Sequence, residues 1–191
     1  MVKIIFLKAL LIQYKPFLLF LGKFFISYLI LTLLYQSYLK KFQGLHAEAD
    51  AMTVLVAEES KTILSWFDAS TRVEAHETEP SVKLFYKNTY VSRIIEGCNG
   101  VSVMILFVAF VVAFSGNLKN TLWFIPFGVL VIHVLNVVRI AFLSAALFHY
   151  PEYEHLLHDV LFPLVIYGTV FFLWVIWVNT FSLYATKIDK K

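Results

Sequence analysis

The chain contains a single cysteine, Cys98, within Glu96-Gly97-Cys98-Asn99-Gly100. The motif stands where a polar stretch ends and an apolar run, Val101 to Phe114, begins. A thiol at such a boundary meets water on one side and hydrocarbon on the other. The flanking glycines remove side-chain bulk and let a substrate backbone approach the sulfur. A thiolate is the nucleophile of acyl transfer, and a neighbouring cation favours it over the thiol. Arg139 can supply that cation. It lies inside an apolar run, where an arginine costs about 2.5–3.5 kcal/mol by insertion scales and marks a paired or functional site. His158, at the start of the last apolar run, offers an imidazole to shuttle a proton. A guanidinium also suits a developing oxyanion. Cys98, Arg139 and His158 are therefore the candidate catalytic residues, with Asn99 and Asn136 as candidate substrate-binding residues. The competing reading is that Asn136, one turn from Arg139, and backbone carbonyls merely satisfy the guanidinium. His133, Asn136 and Arg139 recur every third residue and predict a polar stripe facing a bundle interior, with His133 bonding between helices. A metal reading of His155, His158 and Asp159 matches no established ligand spacing. No metal and no cofactor is expected.

The composition says what must hold these groups. Hydrophobic residues make up 60% of the chain and charged residues 15%, and the mean hydropathy is +0.75. Soluble domains carry about a quarter charged residues, so an integral membrane protein is predicted. A net charge of +3 without a basic, aromatic-interleaved patch excludes nucleic acid as the natural partner. One cysteine excludes an internal disulfide and a cysteine-built zinc site.

In chain order, residues 1–15 carry Lys3, Lys8 and Lys15 among apolar residues and predict a basic amphipathic segment on the membrane surface. Residues 16–41 predict a first transmembrane helix. No cleavage site follows the apolar start, so this segment is expected to remain as an anchor. Residues 42–95 predict an extracytoplasmic region: an amphipathic helix over His46 to Phe67, a polar loop over Asp68 to Pro80, and a hairpin over Ser81 to Ile95 around Lys87-Asn88. Residues 96–185 predict a three-helix catalytic membrane core. Its spans are Val101 to Phe114, lengthened by Ile94 and Ile95, then Leu122 to Phe148, then Val160 to Leu183. Residues 186–191 predict a basic cytoplasmic tail. The expected fold is thus an all-α polytopic membrane protein of about four transmembrane helices, with an insertion between the first and second. Lysines near both chain ends and Lys119 fall on one side of such a bundle, which the positive-inside rule makes the cytoplasm. Cys98, Arg139 and His158 then share one level near the outer face.

As a set, Gly97-Cys98-Asn99-Gly100 ahead of one apolar span, Asn136-Val137-Val138-Arg139 in the next and His158-Asp159 opening the last resemble the exosortase/archaeosortase family of membrane transpeptidases. The chain is most similar to the short exosortase F type of the Bacteroidetes. The resemblance covers about Arg93 to Phe172. It implies a cysteine protease or transpeptidase of the bacterial inner membrane, multi-pass, with its active site facing the periplasm. Its partners would be exported proteins ending in a short motif, a transmembrane helix and a basic tail. Cys98 would form the acyl-thioester, Arg139 would be the proton donor or thiolate partner, and His158 would assist the transition state. The chain departs from many relatives in having one span and an insertion where they have additional N-terminal spans. The alternative function is a non-enzymatic membrane assembly protein that binds a partner and whose polar stripe only holds helices together.

Overall fold

The computed structural model describes residues 13–42, 48–114 and 116–181. All but the end of the expected basic segment 1–15, and all of the expected tail 186–191, lie outside these residues. The fold is mostly helical. Three helices are long and apolar enough to cross a membrane: α1 (Lys15–Leu39), α4 (Leu118–His149) and the continuous helix Leu156–Phe181, whose central part is α5 (Phe162–Ile176). The expected second span is shorter than predicted. Helix α3 runs only Val101–Ala113, a rise of about 20 Å against a hydrocarbon core of about 30 Å. Ile94 and Ile95 do not lengthen it, because they belong to a strand. Gly100, at a φ of 82°, turns the chain between the two, a left-handed conformation that side chains resist.

The all-α expectation is also amended. Between α1 and α3 lie helix α2 (Ala51–Ser65) and an antiparallel sheet of order β1-β2-β3, formed by Arg72–Ala75, Ser81–Tyr86 and Thr89–Ile95. The hairpin over 81–95 is present. It turns through Lys87 and Asn88, both at positive φ (50° and 60°), as a two-residue primed turn requires. Strand β1 stands where a loop was expected. Helix α2 starts at Asp50, whose carboxylate accepts from Met52 N and Thr53 N at 3.0 and 3.1 Å, a regular N-cap.

Two cores result. Val56, Ala57 and Leu64 of α2 pack with Val82, Leu84, Tyr86 and Ile94 of the sheet, and with Val137, Ile140 and Ala141 of α4. Met104, Phe107 and Val111 of α3 pack with Phe124 and Ile132 of α4 and with Val170, Leu173 and Trp177 of the last helix. Helix α4 therefore serves both cores, its N-terminal half in the bundle and its C-terminal half under an α/β cap. Helix α1 packs on α3 through Phe20, 5.8 Å from Phe110 and 4.5 Å from Phe114 by ring centroids. Phe110 stacks in turn on Trp174 at 4.1 Å. The short helix is thus enclosed by the three long ones.

Candidate active site

Strand β3 ends in a single 3-10 turn, Glu96–Cys98, and α3 begins at Val101. Cys98 therefore sits at the joint between cap and bundle, half-buried against the cap core. Two asparagines fix that joint. Asn136 of α4, 1% exposed, donates through Nδ2 to the Cys98 carbonyl at 2.8 Å and accepts through Oδ1 from Arg139 Nη1 at 3.3 Å. One amide thus sets both the backbone of the thiol and the head of the guanidinium. Gly100 permits the approach: a Cβ there would lie 3.2 Å from Asn136 Cγ and Nδ2. Asn99, also 1% exposed, points to the other side. Its Nδ2 donates to Tyr35 Oη at 2.9 Å and to Thr53 Oγ1 at 3.2 Å, and its Oδ1 accepts from Val101 N at 3.0 Å. It ties α1, α2 and α3 together at the level of the thiol.

Arg139 stands over the Phe162 ring, with Cζ 6.0 Å from the centroid. Its Nε is enclosed and has no acceptor among the described residues. His158 lies in a π-helical turn, Leu156–Leu161, in which Phe162 N–H bonds back to Leu157 O. Pro163 follows and has no N–H to give to the Asp159 carbonyl, so the ladder cannot close in the ordinary way there. His158 Nδ1 lies 2.7 Å from Asp159 Oδ1. A proton on Nδ1 shared with that carboxylate leaves Nε2 as the nitrogen available to a reacting group.

Cys98, Arg139 and His158 line one cavity of about 300 Å³, together with Tyr90 to Ile94 of β3 and Ile140, Leu143, Ser144 and Leu147 of α4. Glu154 lines it as well. Neither asparagine lines it. Both are almost fully buried, with their side-chain amides committed to protein partners. His133 parts company with its expected stripe: its Nε2 pairs with Glu59 Oε2 of α2 at 2.7 Å, beside a separate apolar cleft. A spacing of three residues falls about 60° short of a full turn, so His133 and Arg139 lie on different sides of α4. Sequence reasoning missed the β3 residues, Glu154, Leu143, Ser144 and Leu147. The α4 members were findable, since they follow Arg139 and Ile140 at helical spacing.

A family model matches nearly the whole chain. The transmembrane exosortase model covers residues 4–181, and the chain belongs to that family. No curated protein and no solved structure matches it. Membership, together with the long apolar helices, makes this a multi-pass membrane protein and points to a transpeptidase or protease role acting on exported proteins.

Proposed function

We propose that this exosortase-family chain, of the short exosortase F type, is a cysteine transpeptidase or protease of the bacterial inner membrane. It cuts the C-terminal sorting tails of exported proteins on the periplasmic side. The observation that carries this reading is the single cavity lined by Cys98, Arg139 and His158. A thiol, a guanidinium and an imidazole backed by a carboxylate, drawn from three separate elements, form a set with the parts that acyl transfer needs.

In this mechanism His158 Nε2 takes the thiol proton, and the Cys98 sulfur adds to the scissile carbonyl carbon. The oxyanion that forms is held by the Arg139 guanidinium, which keeps its charge through the cycle. The tetrahedral species collapses as its C–N bond breaks. The departing amine takes the proton from His158, and the acyl group stays on sulfur as a thioester. Water or an acceptor amine then attacks the thioester and frees the thiol. Asp159 holds the imidazole in the tautomer that both proton transfers need.

The test is maturation of tail-bearing exported proteins in cells carrying Cys98→Ser or Cys98→Ala. Serine keeps the size but not the ionisable thiol, so both variants should bind the tail and fail to cut it. Uncut precursor should accumulate on immunoblots while the chain itself stays at normal abundance. Normal maturation with Cys98→Ala would overturn the cysteine mechanism and leave an assembly protein in its place.

A further inference from the structure

The cavity wall contributed by β3 has an unusual make-up. Tyr90, Val91, Ser92, Arg93 and Ile94 all line it in succession. Side chains of a strand alternate between its faces, so a strand that presents one face to a cavity contributes every second residue. A run of consecutive residues is instead the signature of a strand that presents its edge. The sheet order agrees. Strand β3 pairs with β2 on one side and with no strand on the other. Among the described residues, no backbone hydrogen bond joins Tyr90–Ile94 to an element other than β2. The face of β3 is already in use: Ser92 Oγ is bonded to Ser144 Oγ of α4 at 2.8 Å, and Ile94 is buried in the cap core. The register also shifts opposite Leu84 and Phe85, and a bulge of this kind bends a strand and re-aims its edge.

We propose that this edge is the subsite for the substrate backbone: the segment around the scissile bond lies extended along β3 as an added strand. The inference rests on the transpeptidase or protease reading and says how that site would hold its chain. The edge runs straight into Glu96–Cys98, so a segment paired along it delivers a peptide bond to the thiol at its end. The five edge residues cover roughly 16 Å of extended chain. A tail drawn out of a membrane helix loses its internal hydrogen bonds, and unpaired N–H and C=O groups near hydrocarbon are costly. A strand edge replaces those bonds whatever the side chains are. Selectivity then comes from alternate residues of the tail, one set facing the Ile140, Leu143 and Leu147 wall of α4. The substrate class is an extended motif read at every second position, not a helix bound through one face.

The test uses the Cys98→Ala chain, which has no other cysteine, with single cysteines placed at Tyr90, Ser92 or Arg93. The probe is a reporter ending in the tail of an exported protein whose maturation Cys98→Ala blocks, with single cysteines scanned along its motif. Membranes are oxidised with copper phenanthroline, and disulfide-linked pairs are read on gels. Each chain variant is first shown to accumulate in the membrane and to react with a maleimide. Crosslinks should recur at every second tail position. The favoured position should move by one residue, and the alternating set should switch, when the chain cysteine moves from Ser92 to Arg93, which are in regular register. Crosslinks without that period, or none while the precursor still depends on Cys98, would overturn strand addition and leave the protease reading standing. If no tail-bearing protein depends on Cys98, the protease reading falls first and this one with it.

Discussion

At the scale of single residues, one buried amide braces the candidate site. Asn136 has each end committed, Nδ2 to the Cys98 carbonyl and Oδ1 to Arg139. Leucine there would fill the same space and abandon both partners, each left unsatisfied at about 1–3 kcal/mol. Asn136→Leu is therefore expected to slow maturation at least roughly tenfold, the effect of about 1.4 kcal/mol on a barrier, with the chain still present in the membrane. Pulse-labelling of a tail-bearing precursor measures it. Unchanged maturation would mean that Arg139 and Cys98 hold their places without it. That Cys98, Arg139 and His158 would share one region of the fold was legible in the sequence because each is chemically out of place: a lone thiol between glycines, a charge in an apolar run, a histidine at a helix start. The asparagines were picked out for the same reason, yet nothing in a sequence tells an amide that faces a substrate from one that is enclosed. Only the partners at 2.8 to 3.3 Å decide that. His133 does bond between helices as expected, but its partner, Glu59, lies on an element whose packing against α4 no local spacing reveals.

At the scale of elements, the long helices were plain from their apolar runs, and the sheet was only half visible. Strand β2 has four buried residues and β3 joins it through a short turn, so a hairpin could be read. Strand β1 is half exposed, with Arg72 and Glu74 paired to each other at 2.8 Å on its surface. It lacks the apolar alternation by which a strand is recognised. The upper limit of α3 was hidden for the opposite reason, since apolar residues run on both sides of the Gly-Cys-Asn-Gly turn. The contact that seats α3 against α4 is Phe107 on Gly128, where a Cβ would lie 2.2 Å from the ring. Gly128→Val should therefore overpack this crossing, costing about 1–3 kcal/mol and lowering the thermal midpoint in detergent. Gly168→Ala serves as its control: nothing lies within 4 Å of a Cβ at that site, and its midpoint should not fall. Equal midpoints for the two would show that the crossing relaxes freely.

At the scale of the whole molecule, α4 is the member shared by cap and bundle, so the two cannot shift independently without disturbing Asn136 between them. If the cap faces the periplasm, single cysteines in the Cys98→Ala chain at Glu74 and Lys119 should label from opposite sides, Glu74 from outside. Labelling of both from one side would break the proposed orientation. The same frame carries a consequence for the lipid around it. Helices of 25, 32 and 26 residues rise about 38, 48 and 39 Å and can tilt to suit a membrane of any ordinary thickness. The enclosed helix of 13 residues cannot lengthen to follow. The height of Cys98 is therefore fixed from the inner end of α3, while the height of the lipid surface is set by acyl-chain length. Hydrophobic mismatch then becomes a control on the thiol: in short-chain bilayers it stands near the headgroups, and in long-chain bilayers it is submerged. A membrane-impermeant maleimide should label Cys98 faster in proteoliposomes of fourteen-carbon than of twenty-two-carbon phosphatidylcholine, and rates independent of chain length would show that the surrounding helices shield the site from the lipid.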